Sequence, residues 1–197
     1  MPDFVSDSEL VLEPCDIFLT KGSSFVSKAI RFFTRSFGER RTQANHVGII
    51  TERGSIHSAV AIEALSKVKM HAMRRYGAKP TTGVAVFRPI NLTDEEKAIV
   101  VAKAKTYVDR GYGFVKIAAH LLDWGLKGAY VFRRFTKDDD YPICSWLVAH
   151  AFAAADKHFG VDPGAANPDD IWDFVTADEN ADKYVQVRKL IPIPATL

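Results

Sequence analysis

Between Asn45 and Ala64 the chain reads as two apolar runs joined by a polar break, a pattern that restricts the fold more than any other stretch. The first run is Asn45-His46-Val47-Gly48-Ile49-Ile50-Thr51 and the break is Glu52-Arg53-Gly54-Ser55. The return run is Ile56-His57-Ser58-Ala59-Val60-Ala61-Ile62-Glu63-Ala64. Short β-branched runs around a Gly-containing turn predict an antiparallel hairpin. A turn centred on Arg53-Gly54 sets position 46 opposite position 61. Glu63, two residues along, then points to the same face as His46, because strand side chains alternate with a period of two. Diagonal neighbours lie roughly 7–8 Å apart at Cα, so Glu63 is expected to accept a hydrogen bond from one imidazole nitrogen of His46. A slip of one residue would send Glu63 to the opposite face.

A second constraint comes from Ile143-Cys144-Ser145-Trp146-Leu147-Val148-Ala149-His150-Ala151-Phe152-Ala153-Ala154-Ala155, a long apolar run after a charged, Pro-containing loop. It predicts a helix over 143–158 with Cys144 at its N-terminus. Unpaired N–H groups and the positive end of the helix dipole favour a thiolate there, lowering the thiol pKa and making the sulfur a nucleophile. The bland alternative is core filling, since free cysteine is among the most buried residue types. With His46 taking the thiol proton and Glu63 fixing the imidazole tautomer, the three residues have the composition of an activated cysteine. Asp138-Asp139-Asp140, read as a solvated loop, puts negative charge just ahead of this helix and moderates that effect.

The remaining elements are expected as a strand near 16–20, helices at 23–37 and 93–109, and a strand at 83–88. A partly helical segment at 114–135, a short helix at 169–174 and a last strand at 184–190 follow. Thr93 with Glu96 three residues on is a capping box. Helices mixed with adjacent antiparallel strands define an α+β domain. At 197 residues the chain suits one domain, and 47% apolar content supplies a core.

A net charge of +2, with no dense basic tract, argues against a nucleic-acid partner. Cys15 and Cys144, the two cysteines, lie far apart in unlike contexts, so no disulfide framework is expected and Cys15 is read as packing inside a strand. Reduced thiols, five acidic residues within the first twenty and the lack of a long apolar stretch give a cytoplasmic expectation, with non-classical export still compatible. His57, His71, His120, His150 and His158 show no metal-ligand spacing, and no phosphate-binding or dinucleotide loop is present, so no metal or other cofactor is expected.

The segment Ser23 to Arg41 sets Phe25, Val26, Ile30, Phe33 and Phe37 at helical spacing among Lys28, Arg31, Arg35, Arg40 and Arg41. This is a basic amphipathic helix, read either as a cover over the sheet or as a face that meets an anionic surface.

The order of Cys15-Asp16-Ile17-Phe18-Leu19, Asn45-His46-Val47-Gly48-Ile49, Ile62-Glu63-Ala64-Leu65, Cys144-Ser145-Trp146-Leu147-Val148 and Asn167-Pro168-Asp169-Asp170-Ile171 resembles the permuted papain-fold cysteine hydrolases. These form the YiiX/YebB-like branch of the NlpC-type superfamily, and the resemblance covers about residues 13–190. It implies one circularly permuted papain-like domain over 1–197, with an antiparallel sheet or small barrel packed on helices and the cysteine helix following the sheet. It implies Cys144 as nucleophile, His46 as base and Glu63 as orienting residue, with a tyrosine before the cysteine lining the pocket, a part open to Tyr112 or Tyr141.

Two positions depart from the family pattern. Cys15 stands where Gly is usual, and Trp146 stands where Glu is usual, which bears on pocket shape and substrate contact. The implied activity is an amidase or peptidase acting on an amide, peptide or acyl substrate, such as cell-wall stem peptides or small amides. The alternatives are a lecithin:retinol acyltransferase-like acyltransferase or lipid hydrolase, and a non-catalytic binding module.

Overall fold

The computed structural model describes residues 6–22, 43–111 and 143–195. The basic helix expected at 23–41, the segment at 114–135, Tyr112, Tyr141 and the Asp138–Asp140 loop lie outside the described residues.

The strands are β1 (Val11–Leu12), β2 (Ile17–Lys21), β3 (His46–Glu52), β4 (Gly54–Ser55), β5 (Val60–Ala64), β6 (Val68–Ala72), β7 (Gly83–Pro89) and β8 (Tyr184–Pro192). The α-helices are α1 (Arg74–Gly77), α2 (Asp94–Lys105), α3 (Cys144–Ala153) and α4 (Pro168–Thr176). Six strands form one antiparallel sheet in the order β6-β5-β3-β2-β7-β8, and β1 pairs with β4 separately. The molecule is therefore α+β, with antiparallel sheet packed against helices. Among the described residues no helix is long and apolar enough to cross a membrane.

Local sequence accounts for the helices. Thr93 Oγ1 accepts the Glu96 N–H at 3.2 Å while the Glu96 carboxylate accepts the Thr93 N–H at 2.8 Å, so the capping box starts α2. Asn167 does the same for α4 by accepting the N–H groups of Asp169 and Asp170, and Pro168 holds the first helical position, where its missing N–H costs nothing. Helix α3 is apolar on nearly every side and buries eight of its ten residues, as a core helix must.

The two faces of the sheet separate by residue parity. Ile17, Leu19, Val47, Ile49 and Ile62 join Leu147, Val148 and Ala151 of α3 on one face. Phe18, Ile50, Ala61, Val84 and Val86 meet Met73 and Tyr76 on the other. Each aliphatic side chain buried this way contributes about 1.5–3 kcal/mol. Arg188, itself buried, clamps the β8 edge by donating to both Asp7 carboxylate oxygens at 2.8 and 2.7 Å and to the Ile191 carbonyl at 2.7 Å.

Three expectations need correction. The return strand begins at Val60, not Ile56, because Gly54–Ser55 leave the hairpin to pair with Val11–Leu12. Ile49 consequently faces Ile62, where a turn centred on Arg53-Gly54 would have faced it with Ser58, a displacement of four residues. Cys15 sits not within a strand but in the turn before β2, in the left-handed region at φ +72°. Strand β6 and helix α1 had no counterpart in the sequence reading, which passed over 68–77.

Candidate active site

Two elements bring a sulfur and an imidazole together. Pairing between β3 and β5 starts at Ile49–Ile62, so the beginning of β3 is open on that side. Helix α3 points its first residue, Cys144, into this opening. The thiol interacts with His46 of β3, and the backbone N–H groups of Val47 and Ser145 are directed at its sulfur. Ser145 Oγ donates to the Ala166 carbonyl at 2.7 Å, fastening the start of α3 to the loop that leads into α4. From α4, the Asp169 carboxylate accepts the Gln43 N–H at 3.1 Å, which fastens the backbone entering β3. The Asn167–Ile171 motif thus buttresses both the cysteine and the histidine strand.

Glu63 is fully buried and lies on the same sheet face as His46. The four-residue displacement of the hairpin is even, so it preserves parity and leaves Glu63 a diagonal neighbour of His46. His46 Nε2 hydrogen-bonds Glu63 Oε2, which leaves Nδ1 as the nitrogen for the thiol. Two further donors reach the same carboxylate. Tyr76 of α1 donates its hydroxyl to Oε2 at 2.6 Å, and His71 of β6 meets Oε1 through Nε2 at 2.5 Å. The His71 Nδ1 lies 3.1 Å from the Ala72 carbonyl.

Gly48, two residues along β3 from His46 and on the same face, has no space for a side chain. A Cβ there would run into the Phe18 ring and come within 2.9 Å of the Ile62 carbonyl.

Electrostatics follow from these contacts. Burial alone would raise the Cys144 thiol, but the charge of His46, its hydrogen bond and the N–H groups of Val47 and Ser145 outweigh burial and hold it below its ordinary value. Burial works against a charged His46 as well, yet the neighbouring Cys144 and Glu63 raise that imidazole to about 10. Glu63 also resists burial: the charge of His46, then hydrogen bonds from His46, His71 and Tyr76, keep its carboxyl well below the usual carboxylate range. Burial and the adjacent Glu63 push Tyr76 well above the ordinary phenol value, so it serves as a neutral donor. The arrangement is a thiolate paired with an imidazolium that a carboxylate orients.

The structure brings Cys144, His46 and Glu63 together. Trp146 is placed elsewhere: it is 1% exposed and packs its indole against Tyr107 at 5.5 Å and His150 at 3.9 Å between ring centroids. It supports α3 from the core side, which corrects the expectation that it lines a substrate surface. Sequence reasoning weighed His71 only as a metal ligand and did not single out Tyr76. The usable signal was a second hairpin, Val60–Ala64 with Val68–Ala72, whose register faces His71 with Ala61, two residues from Glu63. Among the described residues no group of three or more His, Cys, Asp or Glu is arranged to hold a metal ion.

Compared with known proteins, the chain matches no family model and no curated sequence.

Proposed function

We propose that the protein is a cysteine hydrolase with a permuted papain-like architecture, cleaving an amide or ester bond through Cys144. The observation that carries this reading is the line Cys144–His46–Glu63, in which a thiol is lowered while its partner imidazole is raised to about 10. Chain order agrees: the strands that hold His46 and Glu63 precede the cysteine helix.

The thiolate sulfur attacks the substrate carbonyl carbon, forming a C–S bond as the carbonyl electrons move onto oxygen. The Cys144 N–H, in the first turn of α3, is the proposed donor to that oxyanion. His46 then passes its proton to the leaving nitrogen or oxygen as the C–N or C–O bond breaks, which leaves a thioester and a neutral imidazole. Neutral His46 takes a proton from water, whose oxygen attacks the thioester. The acid departs and the thiolate–imidazolium pair returns. No cofactor enters these steps.

The substrate class is proposed from the same resemblance: peptide bonds such as those of cell-wall stem peptides, or small amides. Cys144→Ala and His46→Ala should each abolish turnover in a panel of such peptides and amides while the circular dichroism spectrum stays native. Full turnover by a folded Cys144→Ala variant would sink the mechanism.

A further inference from the structure

The carboxylate of Glu63 sits midway between two histidines on one sheet face. His46 reaches it diagonally from β3 and His71 diagonally from β6, the latter set by the Ala61–His71 pair. The two imidazoles use different oxygens, His46 Oε2 and His71 Oε1, and Tyr76 shares Oε2 with His46. A carboxylate held on one oxygen can swing about its last bond, whereas one held on both is fixed in plane and direction. His71 is itself anchored: its Nδ1 is 3.1 Å from the Ala72 carbonyl, its ring lies 6.5 Å from that of Tyr76, and its side chain is 15% exposed. The proposed reaction needs only Cys144, His46 and a carboxylate, so this second imidazole is surplus to it.

From this geometry we infer that His71 is a positioning residue of the cysteine–histidine site. Its N–H locks Glu63 Oε1, so that Oε2 stays aimed at His46 Nε2 and His46 keeps its other nitrogen towards the sulfur. This rests on the hydrolase reading given above and extends its hydrogen-bonded line from three members to four: Cys144, His46, Glu63 and His71. Hydrogen bonds to a buried charge are costly to leave unmade, and a carboxylate that loses one reorients or draws in water. Either response loosens its hold on His46, and the thiolate loses part of the positive charge that supports it. Among the described residues, His46 of β3 and Tyr76 of α1 also meet the Glu63 carboxylate, Lys69 is its cross-strand partner on β6, and Arg75 of α1 and Cys144 of α3 act on Tyr76.

The test is the pH dependence of Cys144 alkylation by iodoacetamide, read by mass spectrometry in the full chain, for wild type, His71→Leu and His71→Gln. Thermal unfolding by circular dichroism runs beside it. Leu removes the donor at similar volume, and Gln keeps an N–H near the position of Nε2.

The half-point of alkylation should move upward by about one pH unit in His71→Leu, a roughly tenfold loss of rate at a pH below both half-points, and return towards wild type in His71→Gln. A purely structural role would lower the melting temperature without moving the half-point. If His71→Leu does not fold, His71→Asn, whose amide is too short to reach Glu63, takes its place. An unmoved half-point in the folded Leu or Asn variant, or no rescue by Gln, overturns the inference. A wild-type Cys144 without reactivity below the ordinary thiol range overturns the hydrolase reading instead, so the two failures are distinct.

Discussion

Cys15 and Cys144 are both buried, Cys15 fully and Cys144 with 7% exposure, and both sulfurs have lost most of their water. Cys15, in a left-handed turn before β2, faces the Lys97 carbonyl of α2 at 3.6 Å, an acceptor that suits a protonated S–H. Burial pushes that thiol up to about 12, against a smaller opposing influence from Lys97. Cys144 faces an imidazolium and two backbone N–H groups, all of which suit a thiolate, and its pKa moves down. What separates the two is the sign of the partner, since desolvation acts on both in the same direction.

The largest consequence is chemical. A thiol that titrates at about 12 is thiolate in only about one molecule in 10⁵ at pH 7, so Cys15 should resist iodoacetamide in the folded protein while Cys144, whose thiol is lowered, reacts readily. His46→Ala should erase the contrast by making Cys144 at least about a hundredfold slower at pH 6, because only desolvation and two N–H groups then act on the sulfur. Equal labelling of the two cysteines in the wild type would contradict the assignment.

Stability should carry the same signature. The raised pKa of His46 stabilises the fold fully below its unfolded value near 6.5, a contribution lost as pH rises towards about 10. The lowered pKa of Cys144 stabilises fully above its unfolded value near 9, a contribution lost as pH falls. The two dependences run in opposite directions with pH and oppose each other where they overlap. Wild-type stability should therefore vary less with pH, as far as this pair is concerned, than either group alone would dictate. Cys144→Ala removes both the opposing thiol and the largest influence that raises His46, so a smaller His46 contribution remains, and stability should fall by about 1 kcal/mol as pH rises from 6.5. Urea unfolding at pH 6.5, 7.5 and 8.5 measures this, and parallel profiles for the two proteins would show that the two groups are not coupled.

Much of the site was legible because it depends on parity and on helix starts. His46 and Glu63 share a face in any register that differs from the true one by an even number of residues, so an error of four in the hairpin left the pair intact. Cys144 was legible because a long apolar run after a polar loop has few places to begin. The hairpin register was not, since the departure of Gly54–Ser55 to pair with Val11–Leu12 is a long-range event with no local signal. His71 was missed for a related reason: Val68-Lys69-Met70-His71-Ala72 is partly exposed and weakly patterned, and it becomes a strand through pairing with β5. Trp146 was misplaced because its position in the apolar helix leaves both a core and a pocket reading open, and only packing against Tyr107 and His150 decides between them.

Two smaller substitutions sharpen the contrast by loosening one cysteine's surroundings at a time. Gly48→Ala acts on the Cys144 side: the new methyl meets the Phe18 ring and the Ile62 carbonyl, next to Glu63. Overpacking of this kind costs about 1–3 kcal/mol, and displacement of β5 should also slow Cys144 alkylation at pH 6. A change in denaturation midpoint with unaltered alkylation would mean that Phe18 yields without disturbing Glu63.

Thr93→Ala acts on the Cys15 side, because it removes the cap of α2, the helix whose Lys97 carbonyl faces the Cys15 sulfur. Loss of such a cap costs about 1 kcal/mol, with fraying confined to the first turn. Lys97 falls just inside that turn, so Cys15 should gain slow labelling in long incubations at pH 8. The start of helix α3 has its own tie through Ser145 to the Ala166 carbonyl, and Cys144 should label at the wild-type rate. Equal acceleration of both cysteines in Thr93→Ala would mean that labelling reports global opening rather than the two local environments.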